Sequence, residues 1–212
     1  MPIVGYLSAS AAPNVVDKPI GAFVQGLRET GYTDGRNVKI EYRTAKGRYD
    51  RVPALIADLV QRRAAVIAAM GHTRAIAAKR ATTTIPIVFY SSADPVASGL
   101  VTSLGRPGGN LTGVGFLNVP LIAKRIDILR ELLPRAGAIG ILLNPTAATA
   151  SLRIREAESA ARAIRVRIVV LSASDESELE AAFTALSKQQ VAALAVGIDA
   201  FFNSRNDLLI SM

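Results

Sequence analysis

The chain has 212 residues, half of them apolar and one fifth charged, with no cysteine and no tryptophan. The lack of cysteine excludes disulfide frameworks and thiolate chemistry, and no apolar run reaches the roughly 18 residues that a membrane span needs. A formal net charge of +8 raises nucleic acid as a partner, but the basic residues are dispersed. Arg62 and Arg63, Lys79 and Arg80, and Lys124 and Arg125 fall on separate predicted helices, and the densest group (Arg153, Arg155, Arg162, Arg165, Arg167) is interleaved with Glu156 and Glu158. That pattern reads as a solvated surface, and no nucleic-acid partner is expected.

In chain order, strands alternate with helices. Pro2–Leu7 is a short apolar run that reads as a buried strand. Ile20, Phe23, Val24 and Leu27 follow helical spacing, with Gly31 as the stop. "VKIEYR" (38–43) alternates as a strand does. Asp50 is placed to cap a helix whose apolar face is Val52, Leu55, Ile56, Leu59 and Val60, Pro53 being tolerated in its first turn. "AAVIAAM" (64–70) reads as the third strand, 73–82 as a helix and "IPIVFY" (85–90) as the fourth strand. After a glycine-rich stretch the cycle restarts. Ile122, Ile126, Leu129 and Leu133 mark a helix ended by Pro134, and "AIGILL" (138–143) a strand. Ala157, Ala160, Ala161 and Ile164 mark a helix, and "VRIVVL" (166–171) a strand. Asp175 and Glu178 resemble a capping box ahead of the stripe Leu179, Ala182, Phe183 and Leu186. "VAALAV" (191–196) is one more strand, and a helical segment starts at Phe201. This alternation predicts an α/β protein with parallel sheets and right-handed crossovers. Two doubly wound lobes, 1–117 and 118–212, are the simplest arrangement, the second with only three strands.

In open α/β sheets, ligands bind beyond the carboxyl ends of the strands. Those ends carry Ser8-Ala9-Ser10, Gly71-His72-Thr73, Ser91-Ser92-Ala93-Asp94-Pro95, Asn144-Pro145-Thr146 and Gly197-Ile198-Asp199. A helix starting near Thr73 offers backbone N–H groups to an anion, and Asp94 offers a carboxylate to a cation; together they suit a zwitterion such as an amino acid. Each of these residues also serves as an ordinary helix cap, so the reading rests on all five ends at once. The candidate ligand-binding set is Ser8, Ser10, Gly71, Thr73, Ser92, Asp94, Asn144 and Asp199. His72, the only histidine, reads as an ordinary loop residue. Without cysteine or a carboxylate cluster beside it, it makes a poor metal site, and neither a metal nor a cofactor is expected.

Enzyme signatures are missing: there is no G-x-x-x-x-G-K-[ST], no G-x-S-x-G and no G-x-G-x-x-G after the first strand. "SLGRPGGNLTGVGF" (103–116) follows the fourth strand, does not open a helix and has no lysine. Gly108-Gly109-Asn110 favours positive φ, so the stretch reads as a turn leading into a strand that crosses between lobes, not as a phosphate cradle.

Three segments carry a family resemblance: "FVQGLRETGYTDGRNVKIEYRTAKGRYDRVPALIADLV" (23–60), "TTTIPIVFYSSADPVASGLVTSLGRPGGNLTGV" (82–114) and "NPTAATASLRIREAESAARAI" (144–164). With the patterns GY-x-[DE]-G-x-N and LxRPGGNxTG, the chain up to about Asn203 resembles the ABC-transporter substrate-binding proteins of the TrpX-like type. The resemblance implies the type I periplasmic-binding-protein fold, with two lobes that close on a small solute. It also implies delivery to a membrane permease, no catalysed reaction and an extracytoplasmic location. It implies that Thr73, Ser92 and Asp94 line one side of the cleft, and Asn144 and Asp199 the other. Family members carry an export signal or lipid anchor, which "MPIVGYLSAS" does not resemble; either the protein stays in the cytoplasm or Met1 replaces a removed signal. Members also run on past the point where this chain stops, so the second lobe is expected to be incomplete, and a truncated product without transport function is one alternative. An effector-binding regulatory domain of the same fold and an α/β enzyme acting through His72 and Asp94 are the others.

Overall fold

The computed structural model describes residues 1–8, 18–116 and 121–212. The chain divides into two compact units, Met1–Phe116 and Leu117–Met212.

The first unit holds five strands: β1 (Ile3–Ser8), β2 (Lys39–Thr44), β3 (Val66–Met70), β4 (Ile87–Ser91) and β5 (Leu111–Gly115). They form one sheet in the order β2-β1-β3-β4-β5, and every pairing is parallel. The helices are α1 (Lys18–Glu29), α2 (Val52–Gln61) and α3 (His72–Ala81). Alternation along the strands divides the core in two. Leu7, Ile67, Ala69, Ile87, Phe89 and Leu111 pack with Ile56 and Leu59 of α2 and Ala75 and Ala78 of α3. Val4, Tyr6, Ile40 and Ala68, on the opposite face, pack with Phe23, Val24 and Leu27 of α1. The helices thus lie on both faces, as a doubly wound sheet requires.

Asp50 does not cap α2. A 3-10 turn (Tyr49–Arg51) precedes the helix, the cap position falls on Arg51 with no side-chain bond, and the Asp50 carboxylate pairs with Arg48 at 2.7 Å. Behind β2, Glu41 is buried among three cations. Lys39 Nζ lies 2.9 Å and Arg43 Nη2 2.7 Å from its carboxylate oxygens, with Arg62 Nε at 3.7 Å. Arg43 and Arg62 also bond Asp58 of α2, at 2.6 and 2.9 Å, so the network ties the edge strand to the helix. Lys39 first, then Arg43 and Arg62, hold the Glu41 carboxyl below the usual glutamate range against the opposing effect of burial. Arg62 and Arg43 do the same for Asp58.

The glycine-rich stretch is a brace at the entry side of the sheet. Gly108 and Gly109 have φ of 66° and 79°, and Thr102 closes the loop from inside, its N–H donating to Pro107 O at 2.9 Å and its Oγ1 to Arg106 O at 2.9 Å. A Cβ on Gly108 would stand 2.9 Å from Thr102 Oγ1. Asn110 Nδ2 donates to Ile85 O at 2.6 Å and Thr82 O at 3.2 Å. The strand that follows, β5, pairs with β4 as the edge of the first sheet.

In the second unit β6 (Ala138–Leu143), β7 (Arg167–Ser172) and β8 (Ala193–Val196) form a parallel sheet in the order β7-β6-β8. Its helices are α4 (Leu121–Leu132), α5 (Ala150–Ala163), α6 (Glu176–Lys188), α7 (Ala200–Asn203) and α8 (Asn206–Ser211). Ile139, Ile141 and Leu143 of β6 face Ile122 and Ile126 of α4 and Ala157 of α5. Ala138 and Leu142 face Leu179 and Ala182 of α6 together with Phe201 and Phe202. Asp175 caps α6, its Oδ1 accepting from Glu178 N at 2.8 Å. Glu178 reaches back one residue beyond the cap, accepting from Ser174 N at 2.7 Å. Among the described residues, no helix is long and apolar enough to cross a membrane.

Candidate functional site

In a sheet of order 2-1-3-4-5, the chain reverses its winding direction at the neighbours β1 and β3, and the crevice beyond their carboxyl ends is open. In the first unit that position holds Ser8, which is buried, and Gly71, which caps α3 with φ 120° and ψ 151°. Such a backbone suits only glycine, and the Arg74 guanidinium fills the space a Cβ would take, 2.1 Å from its ideal position. Thr73, second residue of α3, is half-buried.

His72 is not a loop residue: it opens α3 and is buried, its Nδ1 2.8 Å from Ser91 Oγ at the end of β4. The Ser91 hydroxyl donates to Ala93 O at 2.9 Å and accepts from Ala93 N at 3.2 Å. Gly71 N donates to Tyr90 O at 2.8 Å. Beyond Ser91, Ser92 is half-buried and Asp94 exposed. Asp94 Oδ1 accepts from Val96 N at 2.8 Å and Ala97 N at 3.1 Å, so it caps the turn that follows. At the same rim the Tyr90 and Phe116 rings stack with centroids 4.4 Å apart. Ser10 lies outside the described residues.

In the second unit the winding reverses between β6 and β8. Asn144 follows β6 and Asp199 follows β8; the two residues are 3% and 6% exposed. Asn144 Nδ2 donates to Asp199 Oδ1 at 3.1 Å. Asn144 Oδ1 accepts from Thr146 N at 3.0 Å and Thr146 Oγ1 at 2.6 Å, which fixes the direction of the amide. Asp199 Oδ1 also accepts from Phe201 N at 2.9 Å, capping α7. One carboxylate oxygen thus both accepts from Asn144 and caps α7.

Arg153 departs from its expected place on a solvated basic face. It is 8% exposed and its Nη1 donates to Ile198 O at 2.9 Å, beside Asp199. The signal was in the spacing: Arg153 falls on the buried stripe of α5, with Ala150, Ala157 and Ala161. A cation on an alanine stripe is a buried cation, and here its Nη1 is satisfied by a backbone carbonyl.

Residues 12–212 match the model of the ABC transporter substrate binding protein family, and the chain belongs to that family. It is 28% identical over 197 residues to a tyrosine-binding protein of Clostridioides difficile, a match that spans 92% of this chain and 54% of that relative. The chain therefore spans about half the length of this curated relative. A conserved domain protein from Vibrio cholerae superposes with a TM-score of 0.84 at 25% identity, over 99% of this chain and 70% of that one. An ABC domain from Streptococcus pneumoniae, solved in complex with L-Trp, superposes with a TM-score of 0.81 at 24% identity, again over 99% and 70%. A leucine-binding protein from Thermotoga maritima shares the fold at a TM-score of 0.66. The fold is that of the type I periplasmic-binding proteins.

Proposed function

We propose that this chain is the solute-binding part of an ABC importer, that it holds a small molecule, an amino acid or related zwitterion, at the polar rims of its sheets, and that it delivers the solute to a membrane permease without transforming it. The observation that carries the reading is the buried Asn144–Asp199 pair at the winding reversal of the second unit. A fixed carboxylate there suits an ammonium group. In the first unit, Gly71, Thr73 and Ser92 border the start of α3, where backbone N–H groups and hydroxyls suit a carboxylate. Ser8 and Asp94 are proposed for the same side, Asp94 toward a cationic group of the ligand. Family membership supports the transport role and an extracytoplasmic location, and the names of the relatives support an amino acid as the solute.

The experiment is isothermal titration of the chain with L-tyrosine, L-tryptophan and L-leucine, paired with thermal denaturation. A cognate solute at a hundred times its Kd is expected to stabilise the fold by about 2.7 kcal/mol. Heats and melting temperatures unchanged by any amino acid would count against the assignment of the solute class.

A further inference from the structure

Resting on the function just proposed, we infer that His72 is a positioning residue: in its Nδ1–H form it fastens the start of α3 to the end of β4, and so sets the spacing between Thr73 and Ser92, the two hydroxyls proposed to hold the ligand carboxylate.

The argument starts from proton counting. Ser91 Oγ has one proton and three neighbours within hydrogen-bond distance: Ala93 O at 2.9 Å, Ala93 N at 3.2 Å and His72 Nδ1 at 2.8 Å. A carbonyl oxygen only accepts, so the hydroxyl proton goes to Ala93 O. A backbone N–H only donates, so Oγ accepts from Ala93. The remaining contact closes only if His72 Nδ1 also donates. The ring is thereby held in one tautomer, with Nε2 carrying the lone pair in the neutral form. Ser91 is fully buried and His72 is 7% exposed, so water does not compete for these bonds.

A second bond runs parallel to the first, from Gly71 N to Tyr90 O at 2.8 Å. Two successive residues of one segment, 71 and 72, are thus tied to two successive residues of another, 90 and 91. Thr73 and Ser92 are the next residues on each side. Whatever fixes 72 against 91 fixes the relative placement of those two hydroxyls. Neither His72 nor Ser91 has to touch the ligand for this to hold. An asparagine at 72 can present an amide N–H where Nδ1 stands, whereas a glutamine reaches to where Nε2 stands.

The test has two arms on the 212-residue chain. His72 is the only histidine, so nitrogen NMR of the imidazole ring, recorded at a pH where its own shifts report a neutral ring, reads its tautomer directly. A protonated Nδ1 is expected, and Ser91→Ala is expected to release the ring into a mixture; a protonated Nε2 in the unaltered chain overturns the inference. In the second arm, amide hydrogen exchange and the Kd for L-tyrosine and L-tryptophan are measured for His72→Ala, His72→Asn and His72→Gln. Loss of the bond is expected to speed exchange over 71–75 and 91–94 together and to weaken binding about ten-fold, and His72→Asn, but not His72→Gln, is expected to restore both. Exchange and affinity equal in all three variants and the unaltered chain would overturn it. If the alanine variant does not fold, the asparagine and glutamine pair gives the same discrimination. If the unaltered chain binds neither amino acid, tyrosine and tryptophan are excluded as the solute, while the tautomer and the exchange rates still decide the role of His72.

Discussion

Asn144 and Asp199 stand 55 positions apart in the chain and share a 3.1 Å hydrogen bond in a buried rim. Two features of Asp199 separate by substitution: its charge, which suits a ligand ammonium, and its Oδ1, which caps α7. Asp199→Asn keeps an acceptor for Phe201 N and removes the charge. It is expected to leave the melting temperature nearly unchanged while weakening amino-acid binding about ten- to hundred-fold, the difference between a charged and a neutral partner. Asp199→Ala also loses the cap, about 1 kcal/mol of stability. Calorimetric titration beside thermal denaturation separates the two effects.

Gly71 holds a backbone conformation that other residues rarely adopt. Gly71→Ala is expected to cost about 1–3 kcal/mol of stability, since the added Cβ meets both that strain and the Arg74 guanidinium. Urea denaturation measures it, and an unchanged midpoint would show that the turn relaxes freely.

The network around Glu41 predicts how stability responds to acid. The folded state holds the Glu41 and Asp58 carboxyls below their ordinary values of 4.5 and 3.8. The unfolded chain therefore takes up these protons first as pH falls. The contribution is fully present above about pH 4.5 and is lost as pH drops through the lowered folded values. Melting temperatures recorded from neutral pH into this acid range are expected to fall below about pH 4.5, less steeply in Glu41→Gln and less steeply in high salt.

Asn110 separates the brace reading of the glycine-rich stretch from a ligand-binding one. Its amide satisfies two carbonyls in the loop ahead of β4. Asn110→Ala is expected to cost about 1–3 kcal/mol, the range for leaving buried acceptors unpaired, with no change in amino-acid affinity. A selective loss of affinity would reassign the loop to the site.

Strand and helix alternation made the parallel α/β architecture legible, because a period of two and a period near 3.6 differ within a few residues. The strand ends then pointed to Asn144 and Asp199 separately. That the two touch depends on β6 lying beside β8, an adjacency set by crossover direction rather than by any local pattern. Asp50 and Asp175 show the same limit in miniature. Both precede an apolar stripe at cap spacing, but only Asp175 caps, because a 3-10 turn and the nearby Arg48 claim Asp50 instead. His72 and Arg153 depart from what their polarity suggests for one reason: position outweighs polarity, and both lie on faces that their helices bury. In the glycine-rich turn, backbone preference makes the positive φ of Gly108 and Gly109 legible, whereas the closure by Thr102 is a side-chain contact that no sequence pattern marks.

Among the described residues all eight strands run parallel to their neighbours, so none of these ladders can be zipped from a tight hairpin. Each pairing must wait until an intervening crossover has closed, at a cost in chain entropy that comes before any ladder bond forms. Self-assembly of this chain is accordingly expected to be slow, with helices docking on half-built sheets, and in the second unit the Asn144–Asp199 bond can form only after β8 has joined β6.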